Sequence, residues 1–120
     1  KLSDVEIDDE KIDIILINEG QFFEDIDIWV KDMVDNHQKQ IYVCGLDGDY
    51  KREKFGKLVE LVPMCDKVTK LTALCGNCKN GTRAIFTHRL SSITDQVLIG
   101  EKDSYIPLCR KCYISICKSI

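Results

Sequence analysis

Four cysteines form two matched pairs, Cys75-Gly-Asn-Cys78 and Cys109-Arg-Lys-Cys112, with residues 79–108 between them. Two such knuckles brought together place four sulfurs around one point, the donor set that tetrahedral zinc takes. A four-sulfur site is closed. It leaves no position for a reactive water, so the metal would hold structure and any catalytic group must lie elsewhere. A pair of disulfides or four buried thiols are the competing readings. A thioredoxin-like redox role is a further one, disfavoured because neither knuckle follows a clear strand and opens a helix. The total of seven cysteines is odd, which argues against a complete disulfide framework and for a reducing compartment. Cys44 lies in an apolar run and reads as a core residue, while Cys65 and Cys117 have no partner motif.

Glu19 is the sharpest candidate for chemistry. It directly follows the run Ile12 to Ile17, and Gly20, Gln21, Phe22 and Phe23 come after it. A carboxylate at the carboxyl end of a strand can reach a ligand and accept a proton from a hydroxyl. The competing reading is an exposed loop glutamate. A strand followed by an acid also resembles the Walker B element, where the acid helps to hold magnesium. Asn18 occupies the first of the two positions, and an amide brings no charge, so magnesium would be held weakly there. Phe22 and Phe23 can stack on a nucleobase or pack in the core. Asp47 and Asp49 flank Gly48 in a turn; Tyr50 and Phe55 add aromatic surface, and Lys51-Arg52 adds charge able to face phosphate. His37 and His88 are not at ligand spacing from the cysteines and read as surface or packing residues.

The elements that must position these groups follow from periodicity. Ile12–Ile17 is β-branched and almost continuously apolar, as a buried parallel strand is. From Glu24 to Asn36, Ile28, Trp29, Met33 and Val34 recur at helical spacing. Ile41 to Gly45 is a second strand, which completes a βαβ unit. The turn Leu46–Asp49 lies at that strand's carboxyl end, where ligands bind in open α/β sheets. Phe55 to Val62 reads as a short helix closed by Pro63. Val68 to Leu74 reads as a strand entering the first knuckle, Arg83 to His88 as another, and Val97 to Ile99 as a third, with a polar loop at 90–96. Ser104 to Leu108 leads to the second knuckle. The fold class is thus α/β followed by a small β-rich zinc ribbon, with a core at 1–72 and a ribbon at 73–120.

Composition bounds the alternatives. The chain has 120 residues, 44% of them hydrophobic, enough for one domain with a real core. No apolar run approaches the ~20 residues of a membrane span. A net charge of −3 gives no general attraction to nucleic acid, although residues 1–35 are acidic and 101–120 basic. Lys1-Leu-Ser-Asp-Val reads as the middle of a longer chain, and sequence upstream is expected.

Together the residues resemble the type II, zinc-containing thymidine kinases of bacteria, animals and poxviruses. The resemblance rests on Ile-Asn-Glu-Gly-Gln-Phe-Phe (17–23), Gly-Leu-Asp-Gly-Asp-Tyr-Lys-Arg-Glu-Lys-Phe-Gly (45–56), Leu-Val-Pro-Met-Cys-Asp-Lys-Val-Thr-Lys-Leu-Thr-Ala-Leu-Cys (61–75) and Cys-Arg-Lys-Cys-Tyr (109–113). These stretches stand in the family's order across residues 12–114. The resemblance implies a parallel-sheet, P-loop-type (RecA-like) core, incomplete at its N-terminus, and a ribbon carrying a lasso loop. It implies transfer of the ATP γ-phosphate to the 5′-hydroxyl of thymidine, with structural Zn2+ and with Mg2+ accompanying ATP. Glu19 matches the catalytic base. Phe22 matches an aromatic residue packing on thymine; Leu46 and Tyr50 match residues of the same pocket, and Phe55 would support it. Thr87 matches a threonine that bonds the base, Tyr105 a tyrosine near the sugar, and Arg89 a basic residue at the start of the lasso. Leu98, Ile99 and Gly100 match its contact stretch. The same resemblance implies dTTP as feedback inhibitor, a homotetramer, a cytoplasmic location, and no nucleic-acid or membrane partner.

Three departures qualify the match. The chain has no G-x-x-x-x-G-K-[ST] phosphate loop, so these residues alone are expected to be inactive. Asn18 stands where the family usually has Asp. The stretch from Cys78 to Thr87 is about two residues longer than the family pattern, and Glu101 replaces a glycine. The alternatives are a homologue that binds nucleosides without phosphorylating them, and a zinc-ribbon module that contacts a macromolecule. A parallel sheet lacking its early strands also exposes apolar edges, which predicts assembly or poor solubility.

Overall fold

The computed structural model describes residues 1–90, 92, 94–97 and 104–118, without the side chain of 118. The chain divides into two compact units, one comprising Lys1–Asp47 and Lys54–Val68, the other Gly48–Glu53 and Thr69–Ile120.

The first unit is built on a βαβ motif. Strand β1 (Ile14–Ile17) pairs in parallel with β2 (Gln40–Val43), with Ile14 opposite Gln40 and Ile17 opposite Val43. Helix α1 (Ile26–Asp35) connects them, as its apolar periodicity predicts. Buried Ile26 and Ile17 form a cluster with Leu2 and Leu61, against which Ile15, Phe23, Trp29, Val30, Ile41, Val43 and Leu58 pack. The expectation that β1 is buried on both faces is corrected. Ile14 and Leu16 are 57% and 76% exposed, because the other elements of this unit pack only against Ile15 and Ile17. The helix expected at 55–62 is a 3-10 helix over Leu58–Met64, and Pro63 lies inside it rather than closing it.

Asp25 precedes α1 but does not cap it. Its carboxylate instead accepts the N–H groups of Leu2 and Ser3 at 3.0 and 2.9 Å, which anchors a short 3-10 turn at Leu2–Asp4. Lys39, with its side chain almost wholly buried, donates to the Asp9 carbonyl at 2.6 Å and pairs with its carboxylate at 3.1 Å. These contacts tie residues 1–11 to the rest of the unit.

Among its described residues the second unit contains two antiparallel ribbons and a helix. Strand β3 (Ala73–Leu74) pairs with β4 (Arg83–Ala84), and β5 (Phe86–Arg89) with β6 (Tyr105–Leu108). The strand expected at 68–74 shrinks to its last two residues, since β4 offers only two partners; Val68 and Leu71 remain 63% and 84% exposed. The strand expected at 83–88 changes partner at Ile85 and so becomes β4 and β5. Val97 is irregular, and 98–99 lie outside the described residues. Helix α2 (Arg110–Lys118) corrects the expectation that neither knuckle follows a strand and opens a helix: Cys109 directly follows β6 and precedes α2, where Cys112, Tyr113 and Ile116 recur at helical spacing. Cys75, Ala84, Leu108, Cys109, Cys112 and Tyr113 make the buried cluster, joined by Phe86, Ile106, Ile114 and Ile116.

Candidate functional site

Glu19 sits just beyond β1 in the left-handed backbone region, at φ 55° and ψ 48°. That conformation is uncommon for a residue other than glycine. The backbone around it is pinned: the Gly20 N–H donates to the Cys44 carbonyl at 2.9 Å, and the Phe22 N–H to the Glu19 carbonyl at 3.1 Å. Gly20 is required by close packing, because a Cβ there would meet Val43 Cγ1 at 2.7 Å and Ile26 Cδ1 at 2.8 Å. The Glu19 side chain is exposed, and its Oε2 accepts the Gln21 amide at 2.7 Å.

Gln21 is 4% exposed and was not singled out from sequence. Its Nε2 donates to Glu19 and its Oε1 accepts the Leu46 N–H at 3.0 Å. One buried amide thus orients the candidate base and ties the turn after β1 to the turn after β2. Its motif position beside Glu19 was visible, but its burial required the fold.

The aromatic candidates separate by exposure. Phe22 is 53% exposed and stands edge-on to buried Phe55, with ring centroids 5.6 Å apart and planes at 86°. Phe23 packs with the core. Leu46 is 49% exposed in the same unit. Asn18 is exposed, and its Oδ1 accepts the Cys44 thiol at 3.1 Å. Cys44 is itself exposed, which corrects its expected core position; it lies one residue past the end of β2.

Tyr50, Thr87 and Tyr105 belong to the second unit. The Tyr50 carbonyl accepts the Tyr113 hydroxyl at 2.5 Å, and its own hydroxyl donates to the Thr94 carbonyl at 2.8 Å. Thr87 lies in β5 opposite Pro107, and Tyr105 in β6 opposite Arg89. Arg52 lies 5.0 Å from the Phe86 ring centroid and 4.9 Å from that of Tyr113, which holds the Gly48–Glu53 strap on the ribbon. Leu98, Ile99 and Gly100 lie outside the described residues.

Cys75, Cys78, Cys109 and Cys112 converge, with their sulfurs all within 4.8 Å of one another. Cys78 Sγ lies 3.9 Å from Cys109 Sγ and 3.5 Å from Cys112 Sγ. Tetrahedral zinc with Zn–S bonds of about 2.3 Å spaces its sulfurs by about 3.8 Å, so the donor set fits such an ion. Donors already face the sulfurs. The N–H groups of Cys109 and Cys78 point at Cys75 Sγ, at 3.3 and 3.5 Å, and Asn77 Nδ2 points at Cys112 Sγ at 3.2 Å. Those two N–H groups bring the Cys75 thiol down from 9.0 to about 6. Hydrogen bonding with Cys112 and then Cys75, together with burial, pushes Cys78 up to about 12. Without a cation, four crowded sulfurs cannot all carry charge; a divalent metal removes that conflict. Gly76 allows the knuckle to close, since a Cβ there would meet Ile106 Cγ1 at 2.7 Å. Neither histidine joins the metal cluster. His37 lies between Asp9 and Asp32 at 3.2 and 3.5 Å, and His88 is half-buried in β5.

A strand-end carboxylate on a parallel pair, and a ribbon whose four cysteines could hold a metal ion, define a class of α/β proteins with a cysteine-rich ribbon. The family model for thymidine kinase matches residues 2–113, and the chain belongs to that family. It is 47% identical over 105 residues to a thymidine kinase of Oryza sativa subsp. japonica, covering 88% of this chain and 38% of that protein. It is 41% identical over 112 residues to a thymidine kinase of Myxoma virus (strain Uriarra), covering 93% and 61%. It is 40% identical over 112 residues to a cytosolic thymidine kinase of Bos taurus, covering 93% and 46%. The chain therefore spans less than two thirds of the length of each of these relatives. No helix among the described residues is long and apolar enough to cross a membrane.

Proposed function

We propose that the protein containing this chain is an ATP-dependent thymidine kinase, transferring the ATP γ-phosphate to the thymidine 5′-hydroxyl to give dTMP. Membership of the family supports the reading. The observation that carries it to particular atoms is the Glu19 carboxylate, held by buried Gln21 at the end of a parallel strand. Glu19 takes the proton from the 5′-hydroxyl as that oxygen attacks the γ-phosphate. Phe22 presents an open ring face to thymine with Phe55 behind it, and Leu46 lines the same pocket. The family resemblance extends the nucleoside contacts to Tyr50, Thr87, Leu98, Ile99, Gly100 and Tyr105, and to a lasso that reads the pyrimidine edge.

Zinc would be held by the four cysteines and would supply a fixed cross-link between the two knuckles, without chemistry of its own. Magnesium accompanies ATP in this reading, and Asn18 contributes weakly to its hydration shell. These 120 residues hold no phosphate-loop motif, so the remainder of a P-loop-type (RecA-like) core would bind the ATP phosphates. The boundary at residue 72, the homotetramer, feedback by dTTP and a cytoplasmic location belong to the same proposal. The exposed Ile14 and Leu16 face of β1 supports a further covering layer in the whole protein. The test is ATP-dependent formation of dTMP by the zinc-loaded full-length protein. A protein that binds thymidine without forming dTMP would instead be the non-catalytic homologue.

A further inference from the structure

Among its described residues the second unit buries two charged side chains, Asp49 at 7% and Arg89 at 4% exposure. Buried charges are costly unless hydrogen-bonded, so their partners show what they are for. Partners of both meet at Asp95 and Gln96, and Tyr50, against which Arg89 lies, reaches the neighbouring Thr94. Arg89 Nη1 donates to the Asp95 carbonyl, and Nη2 to the Gln96 carbonyl at 3.0 Å and the Tyr105 hydroxyl at 3.0 Å. The guanidinium lies 3.9 Å from the Tyr50 ring centroid and 5.4 Å from that of Tyr105. The Tyr50 hydroxyl takes the remaining carbonyl, that of Thr94. Gln96 Nε2 in turn donates to Asp49 Oδ2 at 2.9 Å. The other Asp49 oxygen accepts the N–H groups of Lys51 and Glu53, both at 2.9 Å, and so shapes the strap that carries Tyr50.

We propose that Arg89 and Asp49 are positioning residues that fix the Thr94–Gln96 backbone and the Tyr50 ring as one latched unit, setting nucleoside affinity without touching the reacting atoms. Arg89 is suited to this because its planar fork reaches two carbonyls while its face stacks on an aromatic ring; lysine offers neither. A backbone already held in place loses less conformational freedom when a ligand docks, so the latch acts on binding more than on turnover. The consequence for nucleoside affinity rests on the thymidine kinase reading; the latch does not.

The test uses the zinc-loaded full-length protein with Arg89→Lys and, in case that variant folds poorly, Gln96→Ala. Backbone order at 94–97 is measured by 15N relaxation without nucleoside, and steady-state kinetics are measured with thymidine and ATP. The latch predicts order parameters of a rigid backbone, about 0.85, in the wild type and values below about 0.6 in both variants, with zinc content unchanged. It predicts a thymidine KM raised about tenfold, with kcat and the KM for ATP within about twofold. Low order in the wild type, or equal order in the variants, would overturn the latch. Lower order with an unchanged thymidine KM would overturn its role in affinity. A wild type that forms no dTMP would overturn the kinase reading and leave the order parameters to decide the latch.

Discussion

Gln21 donates its side-chain amide to Glu19 at 2.7 Å while buried to 4% exposure, so the orientation of an exposed carboxylate is set from beneath it. The same amide accepts the Leu46 N–H. Gln21→Leu fits the volume but removes both bonds and leaves the Leu46 N–H without its acceptor. The expected result is a kcat lower by about 10–100-fold, with a stability loss of about 1–3 kcal/mol. Steady-state kinetics beside thermal melts of the full-length protein separate the two effects.

Gly20 is fixed by space, since an added methyl would press on Val43 and Ile26. Ile26 is fully buried and cannot yield freely. Gly20→Ala is expected to destabilise by about 1–3 kcal/mol. Denaturant unfolding of the variant against wild type checks this.

The four-cysteine cluster predicts one zinc per chain. Cys75→Ser removes the sulfur that faces two backbone N–H groups and should abolish stoichiometric zinc. Strong chelation should unfold the ribbon, exposing Leu108 and Tyr113, whose cluster includes three of the ligands. Elemental analysis and tyrosine emission report the two outcomes.

Acid should act on residues 1–4 through Asp25. Partial removal from water pushes its carboxyl up, but the N–H groups of Ser3 and Leu2 outweigh this and bring it from 3.8 to about 2. A folded value below the unfolded one gives stability that is present above about pH 4 and is lost as pH falls toward 2. Asp25→Asn should flatten that part of the unfolding profile, measured by denaturant titrations across pH 2–5.

Much of this architecture was legible because it depends on local pattern. The apolar run 12–17, the amphipathic stretch 24–36 and the second strand gave the βαβ unit, which is present with α1 at Ile26–Asp35. The cysteine spacing gave the cluster. What escaped depends on partners distant in sequence. The stretch 68–74 is apolar enough for a strand, yet only Ala73 and Leu74 meet β4. The burial of Gln21 and Arg89 follows from what packs around them, and composition says nothing of it. Helix α2 was not legible because Cys109 and Cys112 serve both the cluster of sulfurs and the buried face of a helical repeat, and the ligand spacing alone does not distinguish the two.

The central claim is that Glu19 is the base of a thymidine kinase, and its most direct test is phosphorylation of thymidine by ATP and magnesium. The zinc-loaded full-length protein should form dTMP, and Glu19→Gln should lower kcat by about 10²–10⁴-fold while thymidine still binds. A folded, zinc-loaded wild type that forms no dTMP, or a Glu19→Gln variant that retains full turnover, would contradict the account.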